Sequence, residues 1–113
     1  MIIILPFPPS VNSLFGGGSK QKRFPSKKYK AWKAACPQLE AAGISTPVHI
    51  HYTFAWPCRR KRDGQSYFKA VTDYLVSQGV IADDNYEIVD SESWDHVGVD
   101  KTNPRVEIRI TNK

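Results

Sequence analysis

The segment Val48-His49-Ile50-His51-Tyr52-Thr53-Phe54-Ala55-Trp56 alternates without a break. Val48, Ile50, Tyr52, Phe54 and Trp56 fall on one side, and His49, His51, Thr53 and Ala55 on the other. Side chains of an extended chain alternate between two faces, so this pattern is a half-buried strand with a core against its apolar side. Toward the C-terminus, Pro57 to Gly64 reads as a charged loop and Ser66 to Gln78 as a helix. Tyr67, Val71, Tyr74, Leu75 and Gln78 keep helical spacing there, and Gly79 stands at the position that favours a left-handed C′ residue. Asp83-Asp84-Asn85 signals a turn. Tyr86 to Trp94 is expected to be a strand, His96 to Asn103 a turn region, and Arg105 to Thr111 a last strand alternating Val106, Ile108 and Ile110 against charges. Toward the N-terminus, Gly43 to Pro47 is a turn. Ser26 caps a helix carrying Tyr29, Trp32 and Ala35, which ends or kinks at Pro37. Val11 to Pro25, with Gly16-Gly17-Gly18, is a loop. Residues 1–7 form a strand that Pro8-Pro9 terminates. The order is β-α-β-α-β-β, an α+β fold in which a mixed sheet carries two helices.

The chain of 113 residues is one small domain, 1–113. Hydrophobic residues make up 41% and aromatics 12%, which sustains a core and excludes a disordered chain. No apolar run approaches the ~20 residues that span a bilayer, so no membrane partner is expected. Met1 to Leu5 is apolar but has no basic segment before it and is cut short by Pro6, so it is read as a strand rather than a signal peptide. Cys36 and Cys58 form no disulfide framework, which points to a reducing cytoplasm.

The net charge of +5 hides a division. Residues 1–62 hold eleven Lys/Arg and the single acid Glu40, a balance of +10, whereas residues 63–113 hold five Lys/Arg and ten acids, a balance of −5. Such polarity suggests a polyanionic partner for the first half. Lys20, Lys22, Arg23, Lys27, Lys28, Lys30 and Lys33 form a run with no acid among them, interleaved with Phe24, Tyr29 and Trp32. Several cations on phosphates give affinity without sequence preference, and aromatics can stack on exposed bases. Taken alone, those aromatics fit a core equally well. The glycine run lacks the P-loop spacing, His49-x-His51 lacks a third metal ligand nearby, and the cysteines lack zinc spacing.

The block Arg59-Arg60-Lys61-Arg62-Asp63-Gly64-Gln65-Ser66, followed by Lys69 and then Asp83-Asp84, carries the chemistry. Asp63 beside four cations at the mouth of a helix is placed to hold a hard divalent cation against a phosphate, with Lys69 reaching back and Asp83-Asp84 offering further oxygens. The corresponding reaction is metal-assisted phosphodiester hydrolysis. The plainer alternative is a capping Asp63 and a turn at Asp83-Asp84.

The same residues carry a resemblance. Leu5-Pro6-Phe7-Pro8-Pro9-Ser10-Val11-Asn12 is similar to a strand-ending Pro-Pro-Ser-x-Asn motif. Arg62-Asp63, Lys69-Ala70, Asp73-Tyr74-Leu75, Gly79-Val80 and Asp83-Asp84 follow a pattern of Arg-Asp-x-Asp-Asn, Lys-Ala, Asp-Ala-Leu and a closing Asp-Asp. The chain resembles, over nearly its whole length, the RusA family of Holliday-junction resolvases of phages and prophages. The resemblance implies a homodimeric, Mg²⁺-dependent endonuclease, with Mn²⁺ a substitute, that binds four-way DNA junctions and cuts two opposed strands symmetrically in the bacterial cytoplasm. Carried over by position, Asp63, Lys69 and Asp84 are catalytic, and Asp63 and Asp84 hold the metal with Asp83 beside them. Arg59, Arg60, Lys61 and Arg62 meet the DNA backbone, joined by Lys20, Lys22, Arg23, Lys27 and Lys28 of the basic run.

One position departs. The second aspartate of the motif is Gln65, and the asparagine after it is Ser66. A neutral amide removes one charge from the site, a difference of several kcal/mol at an effective dielectric of ~20. Either Asp83 replaces that charge, with Gln65 a weak or water-mediated ligand, or the protein binds junctions with impaired cleavage. Glu87, Asp90, Glu92 and Asp95 read as a solvated strand and turn away from DNA.

Overall fold

The computed structural model describes residues 1–16 and 24–113. The strands are β1 (Ile2–Pro6), β2 (Phe15–Gly16), β3 (Phe24–Pro25), β4 (Val48–Trp56), β5 (Val89–Val99) and β6 (Arg105–Asn112). The helices are α1 (Lys27–Ala35) and α2 (Phe68–Ser77), with single 3-10 turns at Val11–Ser13 and Gly64–Tyr67. The main sheet has the order β1-β6-β4-β5, in which β6 lies antiparallel to β1 and β4, and β4 parallel to β5. The sheet is therefore mixed, as the α+β reading expects. Among the described residues no helix is long and apolar enough to cross a membrane.

The alternating segment is the central strand of this sheet. Val48, Ile50, Tyr52 and Phe54 are fully buried, together with Val106 and Ile108 of β6 and Val71 and Leu75 of α2. On the opposite face, His49 hydrogen-bonds the hydroxyls of Ser91 and Ser93, and His51 those of Ser93 and the carboxylate of Asp95. The His-x-His pair is a polar ladder on the uncovered side of the sheet.

Local signals explain both helices. The Ser26 hydroxyl accepts the Tyr29 N–H at 3.0 Å, closing the start of α1. Tyr29 and Trp32 are buried, and the Trp32 indole donates to the Pro6 carbonyl at 2.9 Å, so both aromatics belong to the core and not to a stacking platform. At the end of α2, Gly79 takes a φ of 74° and donates to Val76, while Val80 donates to Leu75. This is the six-to-one and five-to-two pairing that ends a helix at a left-handed residue.

Three expectations are corrected. The region between Val11 and Pro25 includes a 3-10 turn and the short β2–β3 pair. The expected start of the second helix at Ser66 lies in the 3-10 turn, and α2 begins at Phe68. The third long strand starts at Val89, because Asn85 holds a turn by accepting from Glu87, Ile88 and Val89. It then runs through His96 to Val99, since pairing with β4 as far as Trp56 satisfies its backbone. The turn that follows is closed by Asp100, whose carboxylate accepts from Thr102, Asn103 and Arg105.

Candidate active site

The charged loop from Pro57 leads into the 3-10 turn Gly64–Tyr67 and on into α2. Asp63 caps that turn, its Oδ1 accepting the Gln65 N–H at 3.2 Å. Gly64 allows the turn to lie flat on β5, because a Cβ there would overlap the Trp94 indole. The chain is thereby pinned where its charge changes sign.

Two cavities flank the two 3-10 turns. One, of about 290 Å³, is lined by Phe7, Ser10, Ser13, Lys28, Arg60, Arg62 and Tyr67 among others. The other, of about 280 Å³, is lined by Val11, Gln65, Phe68, Lys69, Thr72, Asp84, Val89 and Glu92. The first is basic and the second acidic.

In the basic cavity, Arg62 organises its own loop. Its guanidinium donates to the Cys58 and Arg60 carbonyls and to the Cys58 sulfur, and it lies over the rings of Phe7 and Trp56. The hydrogen bond from Arg62 draws the exposed Cys58 thiol below its ordinary value. Lys28 and Arg60 share the cavity, while Arg59, Lys61 and Lys27 are exposed nearby in sequence but do not line it. Lys20, Lys22 and Arg23 lie outside the described residues.

In the acidic cavity, the first turns of α2 present Lys69. Its ammonium meets Asp73 at 3.0 Å and Asp84 at 3.3 Å. The hydrogen bond to Asp73 is the larger influence, and with Asp84 it raises the Lys69 pKa, so the group holds its proton. Asp83 is turned away into the local turn, accepting from the Asp84 backbone and the Asn85 amide. Asp63 and Asp83 are not among the residues lining this cavity. Lys69, Asp84 and Gln65 are.

Glu92 is a residue that the sequence placed away from DNA. It lies exposed on a strand, as expected, and it also lines the cavity and accepts a hydrogen bond from the buried Tyr52 hydroxyl. The reason is register. Val48 pairs with Val89 but His49 pairs with Ser91, so Asp90 is passed over and the facing of Ser91 to His96 on β5 reverses, until a second slip at Val97 restores it. Glu92 thus comes opposite Ile50 on the helix side, with Trp94 opposite Tyr52. In the sequence Asp73 stands out only within the motif Asp73-Tyr74-Leu75. Its contact with Lys69 was legible as an i,i+4 pair.

A family model described as endodeoxyribonuclease RusA matches residues 6–111. The chain belongs to the RusA family. No curated protein matches the chain significantly. RusA membership implies Holliday-junction resolvase nuclease activity, and with it binding to DNA junctions. RusA-family resolvases generally use a divalent metal. Among the described residues, no three of His, Cys, Asp and Glu come together closely enough to hold an ion alone. The acidic cavity nevertheless suits a hard cation, because beside the Lys69 ammonium its polar lining offers carboxylate, amide and hydroxyl oxygens and no sulfur or imidazole. Such ions are commonly held by one or two carboxylates, with substrate phosphate completing the shell.

Proposed function

We propose that this protein resolves four-way DNA junctions by Mg²⁺-dependent cleavage of two opposed strands, acting as a homodimer. The observation that carries the reading is the placement of Lys69, Asp84 and Gln65 on one cavity, directly across the Gly64–Tyr67 turn from the basic cavity of Lys28, Arg60 and Arg62. A junction strand following the basic cavity delivers its next phosphates to the acidic one.

Asp84 is the residue that would anchor the cation, with Gln65 on the same cavity and Asp63 capping the turn that carries Gln65. Bound there, a hard divalent cation supplies neutralisation of the charge developing on the phosphate and acidification of a coordinated water. Lys69 keeps its proton and presents a positive charge to a phosphate oxygen, released from Asp84 when the substrate arrives. Arg60 and Lys28 hold the flanking backbone, and Arg62 holds the loop that carries them. Two such sites related by a twofold axis match the symmetry of a junction. The buried face of α2, with Ala70, Val71 and Leu75, is committed to the core, which leaves the outward Ile2 and Ile4 of edge strand β1 as the better candidate for the dimer contact.

The test is a synthetic four-way junction incubated with Mg²⁺ or Mn²⁺. Paired nicks in opposed strands are expected, and Asp84→Asn should abolish cutting while binding persists. Absence of cutting at every metal concentration, with binding intact, would favour the second reading, a junction-binding relative weakened by Gln65. Gln65→Asp would then restore cleavage.

A further inference from the structure

We propose that Glu92 is the second carboxylate of the cation site, supplying from β5 the charge that position 65 lacks. The inference rests on the nuclease reading above and concerns how this particular chain completes the site.

Four observations carry it. Glu92 and Gln65 line the same cavity as Asp84, from different elements. Glu92 reaches it only because the register slips at Asp90, which turns an otherwise outward side chain to the helix side. Its Oε2 is held by the hydroxyl of Tyr52, a residue with no exposed surface that stacks on Phe68 at 4.0 Å. A carboxylate accepts several bonds, so the exposed Glu92 keeps accepting capacity beyond the Tyr52 contact. Finally, the charges do not balance. Lys69 bridges Asp73 and Asp84, and among the described residues no Lys or Arg pairs with Glu92. Asp83, the sequence-level candidate for the missing charge, is occupied by its own turn.

The experiment is Mn²⁺ titration of the full chain without DNA, followed by calorimetry and by paramagnetic broadening of backbone amide signals. In the unaltered protein the amides around Glu92, Gln65 and Asp84 should broaden first. Glu92→Gln, which keeps an acceptor for Tyr52, should weaken Mn²⁺ at least about tenfold. Adding Gln65→Asp to that variant should return most of the affinity, because the charge re-enters the same cavity from its other wall. Wild-type Mn²⁺ affinity in Glu92→Gln overturns the assignment. So does broadening around Asp63 and Asp83 with sharp signals at Glu92, a result that needs no variant to fold. Mn²⁺ held through Glu92 in a protein that cuts no junction overturns the nuclease reading and leaves the Glu92 assignment standing.

Discussion

At the scale of single residues, the junction between the charged loop and α2 is decided by contacts a few ångströms long. The two cysteines show how strongly surroundings matter. Cys58 is exposed beside Arg62 and its thiol is drawn down, whereas burial pushes Cys36 up to about 12. Since the thiolate is the nucleophile, iodoacetamide near neutral pH should label Cys58 several-fold faster than Cys36, as read by peptide mass spectrometry. Equal rates would mean the Arg62 contact is not made in solution. Gly64 is the other telling residue. It needs no left-handed backbone here; it needs the absence of a side chain, because the Trp94 indole fills the space. Gly64→Ala should cost roughly 1–3 kcal/mol through forced repacking and lower the melting temperature. The aspartate capping this turn and the lysine in α2 were both legible from spacing. The need for glycine at 64 was not, because its cause lies thirty positions away in β5.

Among the elements, the Ser26 and Gly79 caps and the alternating strands followed local rules, and the limits of β5 did not. Ser26, Gly79 and the alternation of β4 and β6 were read correctly because each signal is complete within a few residues. The limits of β5 depend on its neighbour, and β4 extends it to Val99. The β5–β6 turn offers a test of its ionic closure. Hydrogen bonds from Thr102 and then Arg105 hold the Asp100 carboxyl below the ordinary carboxylate range. A lowered folded-state pKa stabilises the fold above the unfolded value and loses that contribution as pH falls through the folded one. Asp100→Asn should therefore reduce the melting temperature at neutral pH, and the gap to wild type should close below about pH 3–4. A gap that persists unchanged in acid would show that the charge is immaterial to the turn.

For the molecule as a whole, the charge division becomes a spatial one. Lys28 from α1 and Arg60 and Arg62 from the charged loop meet in one cavity, and Asp84 and Glu92 meet in another, with the capped 3-10 turn between them. If the basic cavity tracks the DNA backbone, log K for junction binding should fall with log salt at a slope of roughly −3 or steeper, from three phosphate contacts or more. Arg60→Gln should flatten that slope by about one, as measured by binding titrations across a salt series. A slope unaffected by Arg60→Gln would move the DNA path off this cavity.

By itself the sequence determined the class of fold, the strand Val48–Trp56, the Ser26 and Gly79 caps, the charged loop from Pro57, and the Arg62, Asp63, Lys69 and Asp84 pattern that marks the family. These are signals carried by near neighbours or by fixed spacing. Only the tertiary structure decided which carboxylates share a cavity. Asp63 and Asp83 are used by their own turns, and Glu92 is brought in by one unpaired residue at position 90. The facing of a strand residue is set by its register against a partner strand, and a slip of one position reverses it. No local pattern in β5 encodes that slip, because it is a property of the pair.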